Sequence, residues 1–367
     1  MKLAIGRNEL LKAVQSVIGA VASGKTSLQV LTFLHVQSDG AEIIFTATDL
    51  ETTLMTRLDH VSEPFTTLLP AKRLYEVLRA FPDGSVVGLE EKDGKTTIKC
   101  GRSRFVLGTL DPMDFPILPD VTPNHTLTID QALLRSLLDL SDYAAAVKDV
   151  RYYLNGVLLE MSDGFTTVST DGHRLAKAHA DIRVPTDREH PVQVIIPSCA
   201  MAELKKLLND EDECELSFNQ SPNQFRVDLE QQTFITKLIE GKFPDYDRVI
   251  PKDSPIRIPV KRTDFMEALN RVRLVIDDKN TGIELVFLEN TLTLKARNGE
   301  ENAEEVLDIE YSGNEFHIGF NHKYLLEALR VMQSENVLLK FTDAQSSVRI
   351  DGIENDDGEH VIMTMRL

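Results

Sequence analysis

Apolar residues recur at helical spacing in six short stretches of the chain and alternate with polar ones through much of the remainder. Leu10, Leu11, Val14, Val17 and Ile18 predict a helix over 8–18. Leu74, Val77, Leu78 and Phe81 predict one that starts at Ala71, and Leu325, Ala328, Leu329 and Met332 one that starts at Asn321. The same reading places helices over 131–140, 198–208 and 263–274. After the first, third and fifth of these comes a strand pair turned at the matching place. The turns are Ser38-Asp39-Gly40, Ser162-Asp163-Gly164 and Leu288-Glu289-Asn290, residue types that favour tight hairpins. The second helix leads to another hairpin, with strands over 85–91 and 96–100 around Asp93-Gly94.

This order, helix, strands, helix, strands, occurs three times, which predicts an α+β fold of three similar domains. Side-chain identity between the copies is slight, so the repeat rests on element order and turn positions; coincidental α+β patterning is the alternative. Proline-rich joints over 116–123 and 251–259 read as linkers. The expected domains are therefore 1–122, 123–250 and 251–367.

At 367 residues, 42% hydrophobic and 27% charged, the chain can bury a core in each. No stretch approaches the roughly 18 uninterrupted apolar residues of a membrane helix, and the first seven residues break into charge too early for a signal peptide. Cys100, Cys199 and Cys214 lie far apart with no CxxC spacing, which argues against a zinc site or a disulfide framework. A cytoplasmic protein with no cofactor and no membrane partner is expected.

A net charge of −18 is hostile to DNA only if it is spread evenly. Taken over 7–18, 71–80, 130–139, 198–208, 261–273 and 321–332, the six helical segments carry fourteen basic and eight acidic residues, so the acidic excess lies elsewhere. That segregation suits helices facing phosphate, and it is also what snorkelling Lys and Arg on exposed helices give. Candidates for a DNA face are Lys12, Lys72, Arg73, Arg79, Arg135, Lys205, Lys206, Arg271, Arg273, Lys323 and Arg330. Phosphate contacts would position the protein without reading sequence.

Two motifs suggest enzymes. Residues 19–26, GAVASGKT, match the phosphate-loop pattern GxxxxGK[ST]. That loop needs a strand before it and a helix after it, whereas here a helix precedes and the strand 31–36 follows, presenting the wrong dipole end. In Asp171-Gly172-His173-Arg174 a carboxylate stands near an imidazole, but no Ser or Cys nucleophile motif accompanies it. The Asp-Gly step reads better as a turn between strands 166–170 and 174–179.

Residues 149–156 (DVRYYLNG), 170–176 (TDGHRLA), 241–246 (GKFPDY) and 363–367 (MTMRL) resemble the beta subunit of bacterial DNA polymerase III, and the resemblance runs end to end. It implies a non-catalytic sliding clamp and processivity factor, part of the DNA polymerase III holoenzyme in DNA replication. Two chains would form a head-to-tail homodimeric ring around double-stranded DNA, with helices lining the interior and antiparallel sheets outside. The partners implied are the clamp loader, the replicative polymerase catalytic subunit, translesion polymerases and mismatch-repair proteins, bound through short linear peptides.

The peptide pocket, between domains two and three, would be walled by Leu154, Thr170, Gly172, His173, Arg174, Leu175, Pro244, Arg248, Val249, Val361, Met363 and Met365. Arg151, Asn321, Tyr324, Ser347 and Arg366 would form a more polar border. Flexible, polarizable methionines suit a surface that accepts several partners, although a strand core would use them too. By resemblance Lys25, Lys148, Tyr152 and Tyr153 would touch DNA, with core packing the other reading for the two tyrosines. At the ring seam, Arg102 and Arg104 would meet Glu300, Glu301, Glu304 and Glu305, with Phe105, Leu107, Leu274 and Val275 supplying apolar contact. A phosphate-loop nucleotide-binding protein and a repeat-built interaction platform are the rival readings.

Overall fold

The computed structural model describes residues 2–24, 26–116, 123–220, 223–277, 281–343 and 345–366. Six α-helices form among them: α1 (Arg7–Val17), α2 (Ala71–Ala80), α3 (Gln131–Ser141), α4 (Ser198–Leu207), α5 (Arg262–Val272) and α6 (His322–Val331). Each lies within two residues of the position its apolar period predicts. The buried faces keep that period: Leu10, Ala13, Val14 and Val17 on α1, and Phe265, Ala268, Leu269 and Val272 on α5. None of the described helices is long and apolar enough to cross a membrane.

Three times the chain runs strand, helix, four strands, helix, three strands. In every repeat the strand before the first helix pairs with the strand after the second: Lys2–Gly6 with Val86–Lys92, His125–Asp130 with Glu213–Gln220, and Ile256–Lys261 with Asn336–Phe341. The strand after the first helix pairs with the strand before the second, as in Phe33–Ser38 with Phe65–Pro70 and Gly156–Met161 with Val192–Pro197. The side chain that opens the first helix also closes each repeat. Arg7 donates from Nε to the Leu78 carbonyl (2.8 Å) and from Nη2 to that of Arg79 (3.1 Å), capping α2. Arg262 does the same at α6, donating to the carbonyls of Leu329 in its last turn and of Ser334 beyond it. Gln131 accepts from the Asn209 N–H and donates to the Glu213 carbonyl.

The described residues gather into two compact units. The first, Met1–Ala132 with Ala202–Leu238, holds a four-stranded sheet and an eight-stranded one. In the latter, four strands of the first repeat join four of the second where Thr52–Asp59 pairs with Gln232–Lys237. The second unit, Leu133–Met201 with Ile239–Leu367, repeats the device. Its eight-stranded sheet joins repeats two and three where Arg174–Ala180 pairs with Glu359–Ile362, and its four-stranded sheet ends at Glu301–Asp308.

One expectation shifts locally. The strand expected over 31–36 begins at Phe33, because Gln29–Thr32 is wound into a 3-10 turn closed by the Thr32 hydroxyl on the Gln29 carbonyl (2.8 Å). The described residues of the GAVASGKT segment follow α1 and precede this turn and strand, so no α-helix begins directly after the loop as a phosphate loop requires.

Candidate functional site

In the second unit, the turn Asp171–His173 joins the strands Phe165–Thr170 and Arg174–Ala180. Asp171 Oδ1 accepts from the backbone N–H of His173 (2.8 Å) and of Arg174 (3.0 Å). Thr170 Oγ1 accepts from the Gly172 N–H (3.1 Å) and donates to the Arg174 carbonyl (2.6 Å). Gly172 has a φ of 87°, a backbone conformation that favours glycine, and a Cβ there would lie 3.0 Å from Arg151 Nη1, so a larger residue would also displace that guanidinium. Arg151 reaches across the turn to the Asp171 carbonyl (3.0 Å) and holds Asp149 through bonds of 3.0 and 2.8 Å. Those bonds to Arg151 pull the Asp149 carboxyl down to about 2.

Arg174 points away from the turn toward α6. Its guanidinium lies 4.6 Å over the ring of Tyr324 and 5.3 Å over that of Tyr143, and it pairs with Asp171 (3.2 Å) and with Glu327. The His173 ring lies nearly parallel to that of Tyr324, 6.4 Å away. The end of the chain runs past both elements: the Met363 N–H donates to the His173 carbonyl (2.9 Å) and the Met365 N–H to that of Gly319 (2.7 Å). Beneath lies an apolar cluster of Leu158, Val168, Leu175, Ile195, Phe243, Tyr246, Ile250 and Val361, with Tyr153 and Ile239 half-buried against it.

Of the residues expected to wall a pocket, Gly172, His173, Pro244, Arg248, Val249, Met363 and Met365 are exposed, while Leu154, Leu175 and Val361 are buried. Thr170, Arg174, Asn321, Tyr324 and Ser347 are half-buried, and Arg151 and Arg366 exposed. Besides Thr170, Arg174 and Arg151, two more of the polar ones are occupied within the protein: Asn321 caps α6 by accepting from the Lys323 N–H (2.9 Å), and Arg248 pairs with Asp245 (2.7 Å). Sequence reasoning missed Tyr143 and Glu327 altogether. A half-buried arginine demands anionic partners, but nothing in the spacing says which.

Among the basic candidates, Lys25 lies outside the described residues. In the first unit, Lys72, Arg73 and Arg79 are exposed on α2. Lys206 is exposed beside Glu203 (2.7 Å) and Lys205 is half-buried. In the second unit, Lys148 is exposed at a φ of 57°, and the two tyrosines divide their roles: Tyr152 is exposed and Tyr153 packs on the apolar cluster. Val147 and Val150 stand exposed beside them, 85% and 95%, which their apolar character did not signal. Arg271 is bound by Glu305 (2.9 and 3.0 Å), which removes both from the open inventory.

The strand Ser103–Gly108 is a sheet edge with Arg104 and Phe105 exposed on it and Arg102 just before it, but Leu107 turns inward and is buried. On the edge strand Glu301–Asp308, Glu301 and Glu304 are exposed, as is Glu300 before it, and Lys295 lies 3.7 Å from Glu304. Leu274 is 80% exposed, and Val275 packs on its own core.

Three family models match in order: the N-terminal domain of the DNA polymerase III beta subunit over residues 1–119, its central domain over 128–245 and its C-terminal domain over 247–366. The beta sliding clamps of Pseudomonas aeruginosa and Escherichia coli are 37% and 36% identical, with the whole of each chain covered. The crystal structure of the Pseudomonas aeruginosa clamp bound to griselimycin is 36% identical, covers all of both chains and gives a TM-score of 0.95. The triple repeat, its antiparallel sheets and its paired helices are thus those of known clamps, and the chain belongs to the bacterial DNA polymerase III beta subunit family, the beta sliding clamps.

Proposed function

We propose that two copies of this chain close head to tail into a ring around duplex DNA and act as a non-catalytic processivity factor in the cytoplasm. The observation that carries the reading is a missing pair of edges. Within the chain, repeat one meets repeat two through Thr52–Asp59 on Gln232–Lys237, and repeat two meets repeat three through Arg174–Ala180 on Glu359–Ile362. By the same rule Glu301–Asp308 of repeat three seeks the counterpart of those second strands, which is Ser103–Gly108 of repeat one. Both are sheet edges in one chain, and open edges with apolar side chains invite strand pairing. A second copy supplies each missing edge, and a heterologous contact repeated twice closes.

The pocket over the Asp171–His173 turn would receive short peptides of the clamp loader, the replicative polymerase, translesion polymerases and mismatch-repair proteins. Exposed Met363, Met365 and Val249 over a buried apolar floor support that role. Griselimycin, which the Pseudomonas aeruginosa relative binds, should bind here and slow amide exchange over 172–175 and 361–366.

Loading onto a nicked circular duplex tests the ring. Protein carried by linkage stays on the circle in moderate salt and leaves within minutes once the circle is cut. Equal retention on circular and linear DNA would mean that ordinary phosphate contacts hold it, and the ring reading would fail.

A further inference from the structure

Arg174 is spent inside the protein. Only 10% of its side chain is exposed, flanked by two tyrosine rings and two carboxylates. Its main chain closes the turn, accepting the Thr170 hydroxyl at the carbonyl and giving its N–H to Asp171. Fixing the guanidinium therefore fixes the turn. The far side of the clamp on Arg174 is itself anchored: the Tyr143 hydroxyl lies 2.9 Å from His360 Nδ1, and His360 Nε2 lies 2.7 Å from the Asp357 carbonyl. A planar guanidinium between aromatic faces, with a carboxylate at its edge, is a directional lock that a lysine would not reproduce.

Resting on the peptide-pocket reading above, we propose that Tyr143 and Glu327 are positioning residues for that pocket. They hold the Thr170–Arg174 turn against α6, and with it the His173 ring facing Tyr324 and the carbonyl that clips Met363. Neither has to touch a bound peptide. When the lock is weakened, the turn spends part of its time displaced, and the apparent affinity falls by the fraction of molecules that remain competent.

The test is a titration of the full-length chain with griselimycin, read together with amide exchange. Failure of the unaltered chain to bind would sink the pocket reading itself, and Met363→Ala is the control expected to weaken binding directly. Given binding, Glu327→Gln should weaken it about tenfold, the scale of one charge-assisted hydrogen bond. Tyr143→Leu should do the same. Glu327→Asp, which keeps the carboxylate, should recover most of the loss. The amides of 172–174 should exchange faster in the ligand-free Glu327→Gln and Tyr143→Leu chains while melting temperature stays within a few degrees. Should Tyr143→Leu fail to fold, Glu327→Gln decides, because that carboxylate is 41% exposed and its loss is tolerable. Unchanged affinity in Glu327→Gln, or weaker affinity with unchanged exchange in the turn, would overturn the proposal.

Discussion

A carbonyl oxygen only accepts hydrogen bonds, so the 2.7 Å contact from His360 to Asp357 places the proton on Nε2 and leaves Nδ1 to accept from Tyr143. The neutral ring is thus satisfied on both sides. Burial holds its pKa below the ordinary value against the pull of the Asp357 carbonyl and of the Asp351, Asp357 and Glu359 carboxylates. Burial likewise lowers His35 and His322. Below about pH 6.5 the unfolded chain takes up protons that the folded chain refuses, so stability is full above that value and lost as pH falls toward the lowered folded values. His317 works in the opposite sense, since Glu315 and Glu284 raise it and its contribution fades as pH rises, but it is half-exposed and weak. Melting temperature should therefore drop between pH 7.5 and 5.5. His360→Gln should be less stable at pH 7.5 yet show a shallower slope; an unaltered slope would clear His360 of the effect.

At the next scale, three helix-opening residues of two types, arginine and glutamine, do one job. Arg7, Gln131 and Arg262 each bind the chain where it leaves the second helix of their repeat. They supply donors to carbonyls that a helix end leaves unsatisfied, or satisfy the N–H that follows. Arg262→Met should cost about 1–2 kcal/mol through loss of two bonds from a half-buried guanidinium. Arg330→Met, exposed on α6, should cost under about 0.5 kcal/mol. Urea midpoints would separate them, and equal midpoints would deny the cap its role. The sequence made the helices and hairpin turns readable because their signals are local: an apolar period, or an Asp-Gly step at a fixed place. It did not reveal these caps, since Arg and Gln share no pattern there. The partners of Arg174 were hidden for a similar reason, because Tyr143 and Glu327 read as ordinary members of a helix end and a helix face. Leu107, expected at a seam, is buried in the single chain while Phe105, two residues before it on the same strand, is 40% exposed, a difference that the alternation of a strand does not announce.

For the whole molecule, the charge balance and the open edges bear on the same question. A chain of net charge −18 repels DNA at long range except where exposed bases such as Lys72, Arg73 and Lys148 stand. Grip alone would then be a poor way to stay bound, and in the proposed ring enclosure would remove the need for it. That enclosure would depend on the seam. Val106 on one edge and Val306 on the other are 50% and 56% exposed, each two residues from an exposed charge, Arg104 and Glu304, on edges of opposite charge. Placing a lysine at Val306 forfeits apolar burial of about 1 kcal/mol and sets a like charge against the basic edge at a cost of about 2 kcal/mol or more. The dimer of Val306→Lys should therefore dissociate at least about a hundredfold more readily. Its melting temperature at low protein concentration, where the parent is also monomeric, should be unchanged, because in the single chain this side chain faces solvent. Sedimentation across a concentration series measures both. A Val306→Lys chain as dimeric as its parent would place the subunit contact somewhere other than these two edges.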